Sequence, residues 1–148
     1  MRRPRAITVR WLKRHDACED QFEKFRQTFG DRAELTRGNA LLAASAGLDL
    51  DWLASRLLSV ASLLVYEEAV DPAWQAFRDA KYAAWRAYEE ARHRACRWDD
   101  QANASREAYV KDETAAWRVY QEATAAARRA FNEVAAIALC DQLGLPKE

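Results

Sequence analysis

From Ala73 onward the sequence repeats itself, and the repeat decides what the chain can fold into. The octad Ala73-Trp74-Gln75-Ala76-Phe77-Arg78-Asp79-Ala80 returns eleven residues later as Ala84-Trp85-Arg86-Ala87-Tyr88-Glu89-Glu90-Ala91. It returns again as Ala116-Trp117-Arg118-Val119-Tyr120-Gln121-Glu122-Ala123, and more weakly at 127–134. The aromatic column Phe77, Tyr88, Trp98, Tyr109, Tyr120 and Phe131 has spacings of 11, 10, 11, 11 and 11. Three turns of an ideal α-helix take about 10.8 residues, so the column stays nearly straight along a helix. Ala80, Ala84, Ala91, Ala95, Ala102, Ala116 and Ala127 fill the gaps in the stripe, which lets a partner helix approach closely. Arg and Glu surround the seam, many at i, i+3 or i, i+4 spacing.

The stripe stays in register and no Gly or Pro interrupts residues 73–143. Both facts favour one continuous helix. A helix of some 70 residues would be about 105 Å long and too exposed for a monomer, so it would require self-association as a homodimer. Against continuity stands the polar cluster Asp99-Asp100-Gln101-Ala102-Asn103-Ala104-Ser105, rich in N-cap residues. Arg106 and Glu113 also fall on the apolar seam beyond it. An antiparallel hairpin turning near residues 99–104 is therefore the favoured architecture. Gly144 and Pro146 stop the last helix.

The first 70 residues read as a separate lobe of short helices. Thr8 caps a first helix, and Asp16 a second that carries Cys18, Phe22, Phe25 and Phe29 on one face, with Gly30 beyond it. Thr36 caps a third helix running to Gly47, and Asp51 a fourth burying Trp52, Leu53, Leu57, Val60 and Leu64. Asp71-Pro72 then reads as a fresh helix start, because proline at the first helical position lacks only a hydrogen that has no partner there. The expected fold is all-α: an N-terminal lobe over 1–70, then a long-helix repeat region over 71–148, packed on the lobe as one domain.

Strong helix formers dominate the composition, and four Gly and three Pro leave few turns for a β-protein. The charges, 23 basic and 23 acidic, cancel, so no global field draws the chain to nucleic acid or membrane. The basic N-terminus is the exception: Arg2, Arg3, Arg5, Arg10, Lys13 and Arg14 precede the first acid, Asp16. It reads as a solvated terminus or as a phosphate-binding arm whose affinity would fall with salt. Three cysteines, an odd number, form no disulfide framework and point to a reducing, cytoplasmic setting. The most apolar stretch, 57–66, is too short to cross a bilayer.

Four constellations bear on chemistry. His15 and Cys18, like His93 and Cys96, are three residues apart, so two such pairs brought together would form a Cys2His2 zinc site. The spacing is not that of a known zinc finger, and a thiol beside Phe22 also packs well in a core, so no metal or cofactor is expected. Leu42, Ala43, Ala46, Gly47, Leu48 and Leu53 follow a helix-turn-helix rhythm. The would-be recognition helix, however, opens on Asp49, Asp51 and Trp52, and carboxylates there repel phosphate. No Gly-rich phosphate loop, HExxH or nucleophile elbow occurs. The adjacent acidic pairs point about 100° apart on a helix and do not converge, so no enzyme is expected. The fourth constellation is tryptophan. Trp74, Trp85 and Trp117 share a column beside the seam, flanked by Arg78, Arg86, Glu89 and Arg118. Tryptophan and arginine are enriched at binding hot spots. The column either packs on the lobe or meets a partner.

Three stretches of the lobe carry a family resemblance: Ala17-Cys18-Glu19-Asp20-Gln21 with Phe25 and Phe29-Gly30, then Leu35-Thr36-Arg37-Gly38-Asn39-Ala40, then Gly47-Leu48-Asp49-Leu50-Asp51-Trp52. They resemble the head of a family of small bacteriophage and prophage proteins in which a variable array of Ala/Tyr/Trp/Glu/Arg repeats follows, as here from Val65. The resemblance implies a phage accessory protein in the bacterial cytoplasm, and by association an inhibitor of a host defence complex of the anti-CRISPR kind, its partner a CRISPR effector. It carries over no functional residue.

Overall fold

The structure, a computed structural model, describes residues 4–96 and 104–146. The element order is β1 (Ala6–Thr8), α1 (Val9–Arg14), α2 (Glu19–Phe29), β2 (Arg32–Glu34), α3 (Arg37–Ser45), α4 (Leu50–Leu57), α5 (Val60–Cys96) and α6 (Ala104–Leu143). The fold is all-α, with one two-stranded antiparallel ribbon that the sequence reading did not foresee. The ribbon pairs Ile7 with Ala33, and both side chains are buried while their strand neighbours are less so. Backbone bonds from Val9 N–H to Asp31 O and from Leu35 N–H to Arg5 O extend the ladder at its two ends. Three residues per strand are too few for periodicity to announce them.

The chain divides into two compact units. One holds the residues up to Ala73 together with those from Arg129 onward; the other is Trp74–Arg128. Both long helices contribute to each unit. The first unit, the head, has a core of Ile7, Leu12, Phe25, Ala33 and Leu57, against which Trp11, Phe22, Trp52 and Leu143 pack. The end of α6 is thus a head element: Phe131, Ala135, Ala136, Leu139 and Cys140 are buried. Asn132, the buried polar residue there, donates its side-chain amide to Ala44 O at 3.2 Å. Arg37 pairs with Asp141 at 3.2 Å. The sequence boundary at residue 70 groups this C-terminal stretch with the repeats, because its alanines continue their rhythm.

The caps explain where the helices start. Thr8 and Thr36 accept the amides of Trp11 and Asn39 through their hydroxyls, as the sequence suggested. Asp16 does not cap α2. Its φ of 58° is left-handed, whereas an N-cap needs extended backbone, and Cys18 takes that place. Asp49, not Asp51, caps α4 by accepting the Trp52 amide at 2.9 Å. Asp51 instead accepts the hydroxyl of buried Tyr66 at 2.5 Å. The fourth helix also stops at Leu57, and Ser59 caps α5 by accepting the Ser62 amide, which leaves Val60 79% and Leu64 57% exposed.

Asp71-Pro72 starts nothing, since α5 runs straight through with Pro72 in its interior. Tyr66, Val70 and Phe77 are buried at i, i+4 and i+11, so one apolar stripe crosses the proline. Burial of that stripe offsets the roughly 3 kcal/mol that an interior proline costs.

Candidate binding surface on the helical hairpin

Within Trp74–Arg128, α5 and α6 pack on each other, and three cross-helix contacts set their direction and register. Trp85 meets Tyr120 edge-on with ring centroids 5.8 Å apart, and Tyr88 meets Trp117 at 5.4 Å. Arg128 lies over the ring of Phe77 at 4.8 Å. Partners advance along α5 as they retreat along α6, so the pair is antiparallel, as favoured above. The expected turn near residues 99–104 lies, but for Ala104, outside the described residues. So do Trp98 and the side chain of Tyr109 in the aromatic column.

These contacts explain the repeat. The octads at 84–91 and 116–123 face each other, and their Trp–Tyr pairs exchange partners. Trp85 touches its own Tyr88 at 5.4 Å and Tyr120 across the seam; Trp117 touches its own Tyr120 at 5.1 Å and Tyr88 across the seam. This is a local two-fold axis perpendicular to the plane of the two helices, and such a rotation returns equivalent positions to the same side of the pair. The two tryptophans therefore flank the seam on one face. The weaker octads follow the same rule, with Arg128 occupying over Phe77 the place that Trp117 occupies over Tyr88. Glu113, out of place on an apolar seam, accepts the Tyr88 hydroxyl at 3.3 Å.

One face of the hairpin thus carries two edge rows. On α5, Trp74, Arg78, Lys81 and Trp85 fall at i, i+4, i+7 and i+11; on α6, Trp117, Gln121, Thr124 and Arg128 do the same. Trp74, Trp85 and Trp117 are 42%, 44% and 40% exposed, which is high for side chains that also touch seam aromatics. Arg78, Lys81 and Arg128 are exposed, and no ion pair joins them to a carboxylate among the described residues.

Of the residues singled out from sequence, Trp74, Trp85, Trp117 and Arg78 share this face. Arg86 and its counterpart Arg118 do not join them: each stands about 160° around its helix from Tyr88 or Tyr120, on the side away from the seam. Glu89 is engaged on its own helix with Arg92 at 3.8 Å and with His93 at 3.7 Å. Sequence reasoning missed Lys81 and Arg128. Aligning the fourth octad on the others places Arg128 at the tryptophan position, which was the available signal.

The other constellations take up local roles. Arg5, Arg10, Lys13 and Arg14 are exposed; Lys13 and Arg14 end α1, where positive charge suits the helix dipole, and Lys13 also lies over Phe22 at 5.1 Å. Arg2 and Arg3 lie outside the described residues. His15 bonds Trp11 O through Nδ1 at 2.8 Å and stacks on the Trp11 ring at 4.0 Å, while Cys18 is exposed instead of packing in the core. Those two belong to the head and His93 to the hairpin, and the Cys96 side chain lies outside the described residues. Among the described residues no group of three or more His, Cys, Asp or Glu is arranged to hold a metal, and no helix is long and apolar enough to cross a membrane.

The head carries a partly open apolar cavity of about 70 Å³ lined by Phe25, Leu53, Leu139 and Cys140 among others. Burial pushes the Cys140 thiol above its ordinary pKa, which makes it a poor nucleophile at neutral pH.

No protein-family model, curated protein or solved structure matches this chain.

Proposed function

We propose that the protein is a non-enzymatic, phage-encoded inhibitor that binds a bacterial defence complex, in the manner of an anti-CRISPR protein, in the host cytoplasm. The observation that carries the binding part is the aromatic face of the hairpin. Trp74, Trp85 and Trp117 stand about two-fifths exposed on one side, interleaved with Arg78 and Lys81, which have no ion pair among the described residues. Rigid, partly exposed aromatics beside arginine are what hot spots are made of, and a soluble chain gains nothing by leaving them bare. The defence context is supported by the likeness of the head motifs to phage proteins.

The test is affinity capture with the tagged full chain from a bacterial lysate containing defence complexes, followed by a high-salt wash and mass spectrometry. The wild type is expected to retain one stoichiometric protein complex, and the Trp85→Ala/Trp117→Ala variant, matched in helicity by circular dichroism, to lose it. Expression of the chain should also raise plaque counts on an immune host. Capture that survives the double substitution would refute the aromatic face as the site. A bait holding only nuclease-sensitive, salt-sensitive nucleic acid would replace this reading by one based on the basic N-terminus. Unchanged immunity would refute the defence role.

A further inference from the structure

We infer that the aromatic face of the hairpin takes an acidic, amphipathic helix, which lies along the seam as the third helix of a bundle. The inference rests on the protein-binding reading above and adds the chemistry of the partner. Its basis is the charge on that face. Arg78, Lys81 and Arg128 are exposed there without an ion pair among the described residues. Among the carboxylates beside the strip, Glu89 pairs with Arg92 and Glu113 accepts the Tyr88 hydroxyl. A chain whose total charge is zero thus presents a locally basic, aromatic strip.

Shape selects a helix over other acidic partners. The two rows run parallel to the seam at helical spacing, and Trp85 and Trp117 stand on either side of it. Between them lie the rings of Tyr88 and Tyr120, 6.2 Å apart. An apolar stripe at i, i+3, i+4, i+7 fits against such a seam, with acidic flanks falling beside the cations. A second copy of the chain suits the strip less well, because the same face on the copy carries the same cations and an isologous contact would set like charges together.

The experiment uses the full chain and three fluorescein-labelled probes. One is a helical peptide of about 20 residues with a Leu stripe and Glu flanks; the second has the same stripe with Lys flanks; the third is a thymidine oligonucleotide. The Glu peptide is expected to bind and to weaken with salt. Arg78→Glu/Lys81→Glu, at exposed positions, should weaken it by about tenfold or more and strengthen the Lys peptide. Trp85→Ala/Trp117→Ala should abolish both. Equal binding of the two peptides, no binding of either, no effect of the charge reversal, or tighter binding of the oligonucleotide than of the Glu peptide would each overturn the inference. If lysate capture still depends on the tryptophans while the charge reversal changes nothing, the binding function stands and the acidic partner falls.

Discussion

Tyr66 links α5 to α4 through one hydrogen bond, and its environment makes that bond sensitive to pH. Burial, first, and the carboxylate of Asp51, second, push its phenol well above the ordinary value of 10.0. The native chain therefore holds this proton after the unfolded chain has released it. Stability is unaffected below about pH 10 and falls as pH rises beyond it, because the unfolded state then binds fewer protons. Tyr66→Phe is expected to cost about 1 kcal/mol at neutral pH, since the exposed Asp51 regains water as its partner. The same variant should lose less stability than the wild type between about pH 9 and pH 11. Urea denaturation at the two pH values checks this, and parallel losses in both proteins would show that Tyr66 does not titrate on unfolding. Asn132 illustrates a different residue-scale logic: it is buried and satisfied by Ala44 O, so its amide fixes α3 against the end of α6.

At the scale of elements, the octads pair with one another, and the pairing is measurable. Trp85 with Tyr120 and Trp117 with Tyr88 should each show a coupling of about 0.5–1.5 kcal/mol in double-mutant alanine cycles. Arg86 with Arg118, both pointing off the seam, should be additive within about 0.5 kcal/mol. Additive Trp–Tyr pairs would mean a different register. The column Phe77, Tyr88, Tyr120, Phe131 was legible in the sequence, because helical periodicity is a property of spacing alone. The hairpin partner of each octad was not, since the repeat is in register with itself at several offsets. The passage of α5 through Pro72 was also hidden. A local rule reads Asp-Pro as a start, and only the burial of Tyr66, Val70 and Phe77 on one stripe overrides it. The opposite failure occurs at Val60 and Leu64, which the apolar pattern buries and the structure exposes once Leu58 and Ser59 break the helix.

For the molecule as a whole, the division of labour is between a head with a true core and a hairpin with only a seam. Two helices bury one stripe each, so the hairpin's amides are expected to open more readily than those of the head. The tryptophans of the candidate surface could be named from sequence, while their common face could not. Trp117 lies on a different helix from Trp74 and Trp85, and only the local two-fold axis brings it to their side. The proposed phage setting rests on the head motifs, which contribute nothing to the surface, so a binding footprint tests the surface separately from that setting. The direct measurement is hydrogen exchange of the full chain, free and saturated with its captured protein partner. Slower exchange is expected along both helices within Trp74–Arg128, with the head unchanged. Protection confined to the head, with the hairpin exchanging as in the free chain, would contradict the assignment of the binding surface.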